Sequence, residues 1–138
     1  MHGIRRTMIV LAASVLLLSG CGIQQAAARQ KQRNLLTQIG LAYHNCNDAL
    51  GHGPVDLAEL KKSGELPADA AQALQNGDVV LIWEVRIPSG MPQGAPVTVL
   101  GYEKDVPTKG GLVLMGDASV VQQTAAEYEA APKAQPKK

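Results

Sequence analysis

Aromatic side chains supply only 3% of the 138 residues, with one Trp, three Tyr and no Phe, so a core has to be built from Val, Leu, Ile and Ala. Charge of one sign is lacking as well: 13 Lys and Arg face 12 Asp and Glu, a formal net charge of +1. A nucleic-acid binder needs a basic excess to release counterions from phosphates, so no nucleic-acid partner is expected. With two cysteines no disulfide framework can form. The length leaves no room for a second full domain. No nucleophile elbow, phosphate loop or metalloprotease helix occurs, and Gly51-His52-Gly53 does not lie between a strand and a helix start. An enzyme is therefore not expected, and no cofactor is implied. What remains, 46% apolar and 18% charged residues, is the balance of a globular chain.

The N-terminus sets the location. Arg5 and Arg6 precede an apolar run over 8–18, followed by Leu18-Ser19-Gly20-Cys21. The run would span about 16 Å as a helix, half of a hydrocarbon core of roughly 30 Å, so a signal peptide is favoured over a permanent span. The four residues ending at Cys21 resemble the bacterial lipobox, in which small residues fit a peptidase cleft and the cysteine takes a diacylglyceryl thioether before cleavage. Residues 1–20 are then a lipoprotein signal peptide and Cys21 the lipidation site. The expected location is a cell membrane, lipid-anchored and facing the periplasm or exterior. Removal of Arg5 and Arg6 leaves a nearly neutral chain, and lipid on Cys21 leaves Cys46 without an internal partner.

Downstream, 21–33 is made of strong helix formers without large apolar residues beyond Ile23 and reads as a solvated helical stalk. From Leu35 an apolar stripe appears: Leu35, Ile39, Ala42, Cys46 and Ala49, with Leu36, Tyr43 and Leu50 beside them. Gln38, Asn45 and Asp48 fall off it, and Gly51 with Pro54 stops the helix near Leu50. Gly40 costs a helix interior about 1 kcal/mol relative to Ala, which predicts a close approach to the sheet there. Asp56 and Glu59 match a capping box for a short helix ended by Gly64, and a second short helix is expected over 68–75. Alternation of Val79, Leu81, Trp83, Val85 and Ile87 predicts a strand over 78–87. The Pro- and Gly-rich 88–96 is a loop, in which Met91 should be exposed. Strands are expected over 97–103, 111–115 and 120–122, with a turn over 116–119. Thr124 and Glu127 cap a last helix through Ala131, and 132–138 has the composition of a disordered basic tail. The fold class is α+β, one long helix against three or four antiparallel strands, with the domain proper over 34–131.

The segment from Asn34 to Asp48, NLLTQIGLAYHNCND, followed by Gly51 and Pro54, resembles the helix signature of a pseudopilin-like family of unknown function abundant in planctomycetes. The later run from Gly110 to Val120, GGLVLMGDASV, is similar to that family's closing hairpin, which usually ends Asp-Gly-Ser or Asp-Gly-His. The resemblance implies a pilin-like fold, with the N-terminal helix lying across an antiparallel sheet. In place of the family's prepilin segment stands the lipobox-like sequence, so the polymerising device is missing. Ala118 occupies the family's Gly position. Because a non-Gly residue is penalised at positive φ, the turn is expected to pass its left-handed position to Gly116 or Asp117.

Candidates for chemistry are few. His44, Cys46, Asp48 and His52 are the only cluster of metal-ligand types, but Cys46 lies about 200° around a helix from His44, so they form no single site and no metal is expected. Cys46 reads as a small core residue and His44 as a flank contact. Asp117 with Glu84 or Glu103 would be a carboxylate pair, although a turn Asp generally bonds its own backbone. Trp83 reads as core. These observations predict a lipid-anchored structural or interaction module, monomeric in isolation, with the membrane and an envelope protein as partners and a secretion or pilus-like assembly as its setting. The alternative is a small-molecule or envelope-polymer binding lipoprotein.

Overall fold

The computed structural model describes residues 20–88 and 98–136. Residues 1–19, which are all but Gly20 of the expected signal peptide, Met91 and most of the loop around it, and Lys137 and Lys138 lie outside the described residues. Within them the layout is α+β, as expected: a long N-terminal helix packs on a four-stranded antiparallel sheet, a pilin-like layout. The elements in chain order are α1 (Gly20–Leu50), α2 (Leu57–Ser63), α3 (Ala68–Gln75), β1 (Val79–Leu81), β2 (Val99–Glu103), α4 (Val106–Lys109), β3 (Gly111–Met115), β4 (Val120–Gln123) and α5 (Ala125–Ala130).

Helix α1 runs unbroken for 31 residues. Its first part touches little, and stays helical because Ala, Gln, Arg and Lys propagate a helix that the packed part has already nucleated. The free-standing stalk is shorter than expected, however. Arg29 already bonds Gln122 and pairs with Glu103 at 3.6 Å, and Arg33 donates to the Val120 carbonyl at 2.5 Å. Beyond them Leu36, Ile39, Tyr43 and Cys46 are fully buried, each apolar side chain contributing roughly 1.5–3 kcal/mol. The stripe ends earlier than its sequence pattern: Ala49 and Leu50 are exposed, and the polar Asn47 is buried instead.

Capping follows the sequence with one variation. Asp56 accepts the amide of Glu59, but the Glu59 carboxylate reaches back to the amide of Val55 rather than to that of Asp56. In α5 the box closes on itself through Thr124 and Glu127. The one-turn α4 was not anticipated. It has Pro107 in its first turn, where a missing N–H costs nothing, and Gly110 at its C-cap.

The sheet order is β1-β2-β3-β4. β3 is buried along its whole length because both faces of the sheet are covered. Leu112 and Leu114 meet α1, while Val113 and Met115 join Val99 and Val106 under α4 and α5, where Tyr102 packs on Tyr128 with ring centroids 4.8 Å apart. A bulge between Val99 and Gly101 sends Leu100 toward the α1 side.

Two expectations fail here. The strand expected over 78–87 ends at Leu81, because the chain leaves the sheet and Glu84 adopts φ 60. Val85 and Ile87 are nevertheless buried, so the alternation was real but faces a helix instead of a neighbouring strand. The chain at 132–134 is also no disordered tail. The Val99 amide donates to the Pro132 carbonyl and the Ala134 amide to the Val99 carbonyl, both at 2.8 Å. Lys133 thereby forms a parallel bridge with Val99, in the place on β2 that β1 has vacated.

Candidate functional site

The two segments that carry the family resemblance meet in space. Gly40 lies against the closing hairpin: a Cβ there would stand 2.8 Å from Leu114 Cδ1 and 3.0 Å from Ala118 Cβ. One turn along, His44 Nε2 donates to the Gly116 carbonyl at 2.8 Å. In the turn itself, Asp117 accepts from the Ser119 hydroxyl at 2.6 Å and from the Ser119 amide at 3.0 Å. The Ser119 hydroxyl first, then the backbone amides and the nearby His44, hold the Asp117 carboxyl below the usual carboxylate range against the opposing effect of partial burial.

The left-handed position is not passed on. Ala118 itself takes φ 67. The Ala118 amide donates to Met115, and Met115 in turn donates to Ser119, which defines a three-residue loop whose last residue must be left-handed whatever its identity. A non-Gly residue there costs on the order of 1–2 kcal/mol, so Ala118→Gly should raise the unfolding free energy by about 1 kcal/mol after the added chain entropy of Gly. Denaturant midpoints of the two proteins check this, and an unchanged or lower midpoint would count against the strain.

The remaining candidates do not converge. Cys46 is fully buried in the main core, and burial pushes its thiol up, which suits an inert apolar role. Asp48 is exposed near the end of α1, and His52 Nδ1 donates to the neighbouring Gly53 carbonyl at 2.8 Å. Among the described residues no group of three His, Cys, Asp or Glu is placed to hold a metal ion. The carboxylates are equally dispersed. Glu103 accepts the Leu112 amide at 2.7 Å, at the end of β3 opposite to Asp117, and Glu84 sits on the departing segment after β1. Trp83 is half-buried and packs against the main core, as its strand pattern suggested.

Sequence reasoning missed a polar clamp on α1. The hydroxyl of Tyr43 accepts the Val85 amide at 2.9 Å and donates to the Ile82 carbonyl at 3.1 Å. Desolvation pushes its pKa up to about 12, so it stays a neutral phenol. One turn later the Asn47 amide exchanges two bonds with Ile87, donating to its carbonyl at 2.8 Å and accepting its N–H at 3.0 Å. Two helix side chains thus do for 82–87 what a neighbouring strand would do. The signal was in the spacing: Tyr43 and Asn47 are four apart and face the same way.

A groove of about 700 Å³ runs between the start of α1, the end of α3 and the link from β2 to β3. Its walls are charged, and six of the charges pair with one another: Arg29 with Glu103 at 3.6 Å, Lys104 with Asp78 at 3.0 Å, and Lys109 with Asp105 at 4.0 Å, while Lys31 and Asp69 also line it. At the N-terminal end of α1, Cys21 is exposed. No described helix is long and apolar enough to cross a membrane. Comparisons of the chain with protein-family models, with curated proteins and with solved structures find no match.

Proposed function

We propose that the chain is a lipid-anchored, extracytoplasmic, pilin-like structural or interaction module, related to the pseudopilin-like family its helix and hairpin resemble and working beside a secretion or pilus-like assembly. The observation that carries this reading is the continuity of α1. The exposed Cys21 and the packed core from Leu35 onward belong to one uninterrupted helix, so lipid on the thiol would couple the membrane rigidly to the folded domain. About eight residues from Cys21 to Arg29, at about 1.5 Å each, would hold the sheet on the order of 12 Å from the acyl attachment point. The binding-lipoprotein alternative receives less support, because most of the charges along the groove beside α1 already pair with each other.

Metabolic labelling of expressing cells with a palmitate analogue tests the anchor. The wild-type chain should carry label and fractionate with membranes, whereas Cys21→Ala should carry none and lose its membrane fraction. Equal labelling of both proteins would sink the proposal.

A further inference from the structure

The place on β2 beside Val99 is open because β1 turns away after Leu81, and it is filled from the other end of the chain. Three features of the occupant fit this place. Pro132 offers only the carbonyl that the Val99 amide requires, and its missing N–H leaves nothing unsatisfied. Lys133 turns toward α5, where its ammonium donates to the carbonyls of Tyr128, Glu129 and Ala131 and lies 4.2 Å from the centre of the Tyr128 ring. Ala134 enters the main core and is 6% exposed, so only a small side chain fits there.

The rest of the C-terminal unit adds only Tyr128 and Ala131, both partly buried, to the packing on the sheet. Between Thr124 and Pro136 Ala134 alone is buried, and no residue of α5 is. Thr124 is the single residue joining β4 to α5, and its backbone is extended, at φ −73 and ψ 165. Beneath the unit runs an apolar row fixed by strand register, Val80 beside Tyr102, Tyr102 beside Val113 and Val113 beside Val121. Its two outer members, Val80 and Val121, are already 37% and 36% exposed. Segments with few buried contacts open at a fraction of the global unfolding free energy.

We propose that this C-terminal unit, residues 125–134, is an exchangeable cover, and that the occupant of the opened place is the same unit of a second copy of this chain. A second copy supplies the required carbonyl, basic side chain and small side chain in the required order, on a unit hinged at one extended residue. Closed on itself, the unit keeps the chain monomeric; exchanged, it links copies through β2 and the apolar row. This deepens the interaction-module reading, and its test does not involve Cys21, so either can fail alone.

The probe is a labelled peptide of residues 125–136, and the hosts are the full chain in detergent and its Ala134→Asp variant, whose own cover is weakened by a carboxylate in the core. The variant should bind the peptide at least about ten-fold more tightly than wild type, since the wild-type cover competes in cis. A peptide carrying Ala134→Asp should bind neither host, and two differently tagged wild-type chains should be captured together increasingly with concentration. Lys133→Ala is a milder second host that keeps the core seat and should bind the peptide to an intermediate degree. Equal binding by wild type and variants, equal binding of the substituted peptide, or no joint capture of the tagged chains overturns the proposal. So does loss of the native circular-dichroism spectrum in both variants, because an exchangeable cover must leave its host folded.

Discussion

Asn47→Ala is expected to lower the unfolding free energy by about 2–5 kcal/mol, because it strands two buried backbone groups of Ile87 at about 1–3 kcal/mol each. Among the described residues, the bonds at 2.8 and 3.0 Å are the partners of that amide and carbonyl, and Asn47 itself is 4% exposed, so water cannot readily replace the side chain. The substitution also frees the end of the segment that Tyr43 holds at Val85. Asn45→Ala, two residues away on the exposed face, is the control and should shift stability by no more than about 0.5 kcal/mol. Urea midpoints of the three proteins decide the matter: coincident midpoints for Asn47→Ala and Asn45→Ala would show that the clamp contributes nothing.

Gly40→Leu should cost about 3 kcal/mol or more, net of the roughly 1 kcal/mol of helix propensity that leaving Gly regains. Even its first carbon would press on Leu114 Cδ1 and on both the Cα and the Cβ of Ala118. Leu114 can move its methyl only into a core that is fully buried around it, and Ala118 belongs to a turn whose backbone conformation is fixed by hydrogen bonds. The remaining carbons of a leucine therefore push α1 off the hairpin and lengthen the bond from His44 to Gly116. Gly40→Ala separates the two effects, since one methyl gains propensity while meeting only the first contacts; it should lie between wild type and Gly40→Leu. An unfolding midpoint for Gly40→Leu equal to that of wild type would mean that α1 does not approach the hairpin as closely as the structure places it.

Much of this protein is written locally. Periodicity at three and four residues defined the packed face of α1 through Cys46, and the pairs Asp56 with Glu59 and Thr124 with Glu127 marked helix starts because their side chains bond amides only three residues away. The antiparallel order of β2, β3 and β4 followed from links too short for a crossover, whereas the 17 residues between β1 and β2 left that pairing to the tertiary structure. Gly40 announced a close approach because its local cost needed a compensating contact. What failed were the features fixed by groups far apart in sequence. Alternation over 79–87 reports burial on one face but not which element covers it, and whether Val85 bonds a strand or Tyr43 is settled 42 residues away. The left-handed Ala118 follows from the hydrogen-bond register of β3 with β4, which overrides the residue's own preference. Composition assigned 132–134 to a tail, yet one open position on β2 and a core socket of alanine size order it, since paired backbone groups and a buried methyl need no hydrophobic sequence to recruit them. Local energies of about 1 kcal/mol thus set the helices and turns. The seat of the C-terminal unit and the clamp on 82–87 exist only once the sheet and α1 have come together.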